Sequence, residues 1–165
     1  MRLLPSVLLI GFAGIALAAP VEGQRSDDQI QPKSVQLMHQ GQALMAAGKL
    51  EEADGMLETA LAVDPRNRWA YTELARVAEK QHLFGKAIRM TSKALEMEPN
   101  DPDAIAVQGE AMVEMGALAR AQENLKKLQG ICAPKGCPQA AQLSAVISRG
   151  PTVAAAKAPE TPKAN

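Results

Sequence analysis

Between residues 34 and 135 apolar side chains recur at steps of three and four, as in Leu37, Gly41, Leu44 and Met45. That spacing traces one face of a helix, and such a face has to be buried against another element. The rhythm is interrupted at Gly48, His82 and Gly116 and again at Pro65 and Pro99, so the pattern predicts short helices arranged in pairs. Proline ends a preceding helix and fits the first turn of a new one. Gly48 and Gly116 fall inside the pairs, where reversing the chain calls for a positive φ that glycine adopts freely and His82 adopts at a cost.

The pattern also repeats. Ala53, Ala87 and Ala121 lie 34 residues apart, and Gly41, Ala75 and Gly109 keep the same interval. The frame is shared by Gly48, His82 and Gly116, by Leu57, Thr91 and Leu125, by Ala60, Ala94 and Leu128, and by Pro65, Pro99 and Ala133. Residues with almost no side chain let two antiparallel helices approach and interlock, whereas larger ones would wedge them apart.

A 34-residue period with small residues inside paired helices, joined by Asp64-Pro65-Arg66-Asn67 and Glu98-Pro99-Asn100-Asp101, resembles the tetratricopeptide repeat. The middle copy carries it best, through Trp69, Tyr71, Leu74, Ala75, Ala87, Ala94 and Pro99. The third copy departs at its end, where Leu128 replaces a small residue and Ala133-Pro134 shifts the closing proline. The resemblance implies an all-α, right-handed solenoid of three helix pairs, at residues 34–67, 68–101 and 102–135. Residues 136–149 follow as a capping helix, with Ala141, Leu143, Val146 and Ile147 on its apolar side to close the open end of the stack.

The resemblance further implies a concave groove, lined by the first helix of each pair, that holds an extended peptide or a partner's helix. The matching positions are Val35, Met38, Gln42 and Met45, then Trp69, Thr72, Arg76 and Glu79, then Asp103, Ala106, Glu110 and Val113. Family members that grip a terminal carboxylate use a cluster of Lys, Arg and Asn, and here Arg76 is the sole cation among these positions, so that clamp is not expected. Core packing is an equal reading for Met38, Met45 and Trp69, since both residue types fill gaps as readily as they grip ligands.

The two ends have another character. Arg2 precedes an apolar run from Leu3 to Leu17 that closes on Ala16-Leu17-Ala18-Ala19, the order of a secretory signal peptide cut after Ala18. An uncleaved anchor is the competing reading, against which Pro5, Gly11 and Gly14 argue. A periplasmic or secreted location follows, with no membrane insertion after cleavage. Residues 19–33 and 150–165 are polar or rich in Pro, Ala, Lys and Thr, and are expected to form a flexible linker and a disordered tail.

Charge changes little in this picture. Basic and acidic residues both number 18, and losing Arg2 with the signal leaves the mature chain at minus one, so nothing gathers nucleic acid. In an oxidising compartment Cys132 and Cys137 are expected to form a disulfide, worth roughly 2 kcal/mol for so short a loop. A redox-active pair is an alternative, although the spacing is not that of a two-residue thiol motif. Two cysteines supply half of a zinc shell, and His39 and His82 fall in different repeats, so no metal is expected. Ser34, Ser92 and Ser144 lack an elbow and an ordered His and acid pattern, and Glu51-Glu52 sits at a helix start, where carboxylates favour the dipole. No catalytic residue and no cofactor is expected. The sequence reads as a non-enzymatic interaction scaffold or adaptor in the cell envelope, with a protein or peptide partner. A self-associating structural subunit and a thiol-disulfide redox protein are the alternatives.

Overall fold

The computed structural model describes residues 29–152. The signal sequence expected at 1–18, most of the linker and nearly all of the tail lie outside the described residues.

Seven helices follow one another: α1 (Pro32–Ala46), α2 (Leu50–Val63), α3 (Arg68–Lys80), α4 (Phe84–Met97), α5 (Pro102–Glu114), α6 (Leu118–Cys132) and α7 (Pro138–Arg149). There is no strand among the described residues. Each helix packs on the next, and α1 also meets α3, α3 meets α5, and α5 meets α7. The odd-numbered helices therefore form one layer and the even-numbered helices the other, which is an all-α solenoid of helix pairs. No described helix is long and apolar enough to cross a membrane.

Local chemistry fixes the helix ends. Pro32, Pro102 and Pro138 begin α1, α5 and α7. The Asn67 side chain caps α3 by accepting from the Ala70 N–H, and Asp101 caps α5 by accepting from the Asp103 and Ala104 N–H groups. Each first helix ends in the same way. Gly48, His82 and Gly116 take φ values of 75°, 60° and 76°, and two backbone bonds close each turn. For the first pair these are Gly48 N–H to Met45 and Lys49 N–H to Leu44, and the bonds of His82 and Leu83 and of Gly116 and Ala117 match them.

The repeating small residues lie where the helices touch. Ala53, Ala75, Ala87 and Ala121 are fully buried. A Cβ built on Gly41 would sit 2.6 Å from the Leu57 side chain, so α1 rests directly on α2. Gly109 departs from that scheme: its Cβ would sit 2.7 Å from Leu143 of α7, outside its own helix pair. The seventh helix therefore takes the place that the first helix of another repeat would occupy. Leu143 and Val146 are buried there, Ile147 is half-buried, and Ala141 turns away to solvent. Leu128, the large residue at a small-residue place, is fully buried with Ile105 and Leu143 and fills the space under α7.

Polar groups tie the first pair to the second. Buried Ser34 donates to the Ala60 carbonyl and accepts from Asn67 Nδ2, so it is a structural hydroxyl. Buried Asp64 accepts from the backbone N–H of Gln31 and from Arg66, and the Arg66 side chain above all holds its carboxyl down at about 2. Its charge stabilises the fold above the ordinary carboxyl range, and that contribution fades as pH falls towards 2. These contacts also correct the linker boundary. Arg66 donates to the Gln29 carbonyl, Gln31 Nε2 donates to the Val63 carbonyl, and Pro32 and Lys33 already belong to α1. At the other end, Thr152 of the expected tail donates from N and Oγ1 to Glu114 Oε2, 2.8 Å each. Cys132 and Cys137 are disulfide-bonded with Cα atoms 5.5 Å apart, which staples the α6–α7 turn.

Gly109→Val should cost about 1–3 kcal/mol by forcing α7 off α5. Gly55→Ala, where nothing lies within 4 Å of the added carbon, should be neutral or stabilising. Thermal melts followed by circular dichroism distinguish the two. In the same assay His82→Gly should raise stability by about 0.5–1 kcal/mol, because it removes a left-handed conformation from a residue with a Cβ.

Candidate functional site

The layer of odd helices carries a cavity of about 430 Å³ lined by Val35, Met38, His39 and Gln42 of α1, Trp69 and Glu73 of α3, and Asp103 of α5. Three sequence-distant helices meet there because the small-residue contacts bring successive repeats side by side. Trp69 is 43% exposed, a large apolar ring left open on the surface. The Arg68 guanidinium lies 4.0 Å from its ring centroid and 3.6 Å from Asp101, so the ring is held from one side by a cation that is itself paired. His39 Nδ1 and Gln42 Oε1 are 2.8 Å apart at the rim.

Of the positions expected to line the groove, Val35, Met38, Gln42, Trp69 and Asp103 come together around this cavity. Met38 serves two purposes, since it is 5% exposed and also belongs to the core between the first two pairs. Met45 is half-buried against that core and is not among the cavity residues. Thr72 is not a groove residue: it is 3% exposed and its hydroxyl donates to the Arg68 carbonyl. Ala106 and Val113 are likewise buried, because the α5 positions chosen by spacing turn into the packing of α6 and α7. His39 and Glu73 line the cavity without having been singled out for it. Their signal is the helical step itself, because 35, 38, 39 and 42 share one face, as do 69 and 73.

Further along the same layer lies a group of carboxylates. Arg76 donates to Asp103 Oδ1 at 2.9 Å and reaches Glu73 at 3.7 Å, so one guanidinium serves two acids. Glu110 accepts from Gln142 of α7 at 2.8 Å, and Gln139 donates to Asp103, so α7 covers part of the groove contributed by α5. Burial pushes the Glu110 carboxyl up, against the pull of Arg76, Gln142 and Arg149. Burial also pushes Glu79 up, to about 8, reinforced by the charges of Glu110 and Glu114 and opposed by Arg76 and Lys80.

Groups of the kind that carry other chemistry are engaged elsewhere. Ser92 accepts from Gln108 and donates to Ile88, Glu51 accepts from Gln81, and Glu52 pairs with Lys49. His39 and His82 are both exposed and sit on α1 and at the α3–α4 turn. Among the described residues no group of three or more His, Cys, Asp or Glu side chains is placed to hold a metal ion.

The comparisons with known proteins agree with this architecture. No protein-family profile matches the chain. Cellulose synthase 2 operon protein C of Komagataeibacter xylinus is 37% identical over 71 residues, which is 43% of this chain and 5% of that protein, so the chain spans a small part of that relative. The Sgt2 tetratricopeptide domain of Aspergillus fumigatus superposes with a TM-score of 0.66 at 21% identity, covering 82% of this chain and 89% of that one. The first such domain of Spaghetti (RPAP3), bound to the HSP90 peptide SRMEEVD, gives 0.64 at 20% identity, covering 71% and 91%.

Glu79 supplies a test of the carboxylate group. A carboxyl raised from 4.5 to about 8 binds its proton more tightly in the folded chain, so its contribution is present below pH 4.5 and is lost as pH rises through 8. Glu79→Gln should melt like the wild type at pH 4 and be more stable by roughly 1 kcal/mol or more at pH 9. By repeat and by structure, the chain has the tetratricopeptide-repeat fold, three helix pairs closed by a seventh helix.

Proposed function

We propose that the chain is a non-enzymatic adaptor that holds a peptide or a partner's helix against the layer of odd helices, exported to the cell envelope by its first eighteen residues. The observation that carries the reading is the cavity shared by α1, α3 and α5, with an exposed indole at its edge. An aromatic ring open to water costs hydration free energy that a partner's apolar side chain recovers on binding. The peptide complex of the RPAP3 domain supports it, as a tetratricopeptide fold of similar extent that holds a short segment. The charged, apolar and small-residue order of residues 1–18 supports export, and a disulfide between Cys132 and Cys137 suits an oxidising compartment.

A second reading, self-association, is favoured by one feature. Leu83 and Met115 are 50% and 59% exposed and, with Phe84, line a separate cavity of about 490 Å³ at the edge formed by the helix turns. Apolar side chains left together on an edge suit burial against a copy.

A pull-down from envelope extract with the mature chain separates the two. A variant carrying Trp69→Ala and Arg76→Glu, folded by circular dichroism, should lose the partner by more than about tenfold in affinity. Capture of nothing but copies of the chain, unchanged by those substitutions, would replace the adaptor with the self-associating subunit.

A further inference from the structure

We propose that the apolar edge at the helix turns is covered by the chain's own C-terminal segment, with Val153-Ala154-Ala155-Ala156 seated against Leu83, Phe84 and Met115. The inference does not depend on the groove, and it gives this edge an occupant other than a second copy.

The path of the chain beyond α7 carries it. Gly150 takes a φ of 76° and donates to the Val146 carbonyl, which ends the helix and redirects the backbone. Two residues later Thr152 donates from N and Oγ1 to Glu114 Oε2. Glu114 is the last residue of α5, and its charge acts on Glu79, one residue short of the end of α3. The chain therefore leaves the described fold where α3 and α5 both end, at the edge that carries the α3–α4 and α5–α6 turns. The cavity of about 490 Å³ lies on those same turns, since Met115 directly follows Glu114 and His82, Leu83 and Phe84 come soon after Glu79. Six residues of extended chain reach about 20 Å, so residues 153–158 have ample length to cross it.

The chemistry of the segment suits the surface. Leu83 and Met115 are large apolar side chains open to water, and burying them is favourable wherever an apolar partner is at hand. The residues next along the chain are a valine and three alanines, too small to need a deep pocket. Gly85 lines the cavity with no side chain, and a Cβ there would meet nothing nearer than Arg89 Nη1 at 3.7 Å, so a backbone can come close. A second copy competes for the same surface, and the tether decides between them. Joined directly to Thr152, the segment stands at an effective concentration on the order of 1 mM, where weak contacts suffice. Two separate chains have to bury about 800 Å² on each side for a stable pair, whereas the tethered segment need only cover Leu83 and Met115.

Amide hydrogen exchange on the full chain tests this. The amides of residues 153–157 should exchange about tenfold or more slowly than in a free peptide of that sequence. Leu83→Ser with Met115→Ser should abolish the protection, and so should Val153→Asp with Ala155→Asp, a change outside the helices, with the circular dichroism melt of each variant close to that of the wild type. Exchange of 153–157 at the free-peptide rate in the wild type overturns the inference. Protection that survives Leu83→Ser with Met115→Ser overturns it by placing the segment elsewhere, the groove included. Protection that fades on dilution, alongside a dimer in sedimentation, overturns it in favour of a second copy at this edge.

Discussion

The close approach of neighbouring helices at residues without side-chain bulk is the constraint on which the rest of this structure depends. Gly41 has no room for a Cβ against Leu57, nor Gly109 against Leu143, and Ala53, Ala75, Ala87 and Ala121 are fully buried at equivalent crossings. Because these crossings recur every 34 residues, each pair presents its first helix on the same side, and the odd helices fall into one layer. The cavity at Trp69 is a product of that regularity. Its walls come from three helices that have little to do with one another locally and are aligned by the spacing of alanine and glycine.

The end of the array is solved with different means. A fourth repeat would bring a helix with the same pattern, but the chain supplies α7 after a five-residue loop stapled by the Cys132–Cys137 disulfide. Leu143 enters at Gly109, and Leu128 fills the gap where the earlier copies carry alanine. Closing the stack has a consequence for the groove. Gln139 and Gln142 reach Asp103 and Glu110, so α7 covers part of the surface that α5 gives to this layer, and most of the cavity-lining side chains belong to α1 and α3.

Much of this was legible in the sequence because it depends on local rules repeated in register. The left-handed residues at 48, 82 and 116, the seven helices and the contact of Gly41 within its own pair follow from spacing and backbone sterics, whereas Gly109 receives Leu143 of α7 instead. The groove was legible in part. Trp69, Met38 and Gln42 line the cavity as their helical positions imply, while Thr72, Ala106 and Val113 are buried. Their exposure depends on how neighbouring helices cross and on where α7 lies, neither of which a single helix's periodicity contains. The elevated carboxyl of Glu79 was likewise out of reach, because it is raised first by burial among neighbouring helices, and the charges of Glu110 and Glu114 that add to it belong to another repeat.

The most direct test of the account is an amide hydrogen-exchange footprint of the full chain, taken with and without the peptide or partner it captures. Binding at the layer that the small-residue crossings create predicts new protection in α1, α3 and α5, centred on residues 35–42 and 69–76. Protection confined to α2, α4 and α6, or to the edge around Leu83 and Met115, would contradict it.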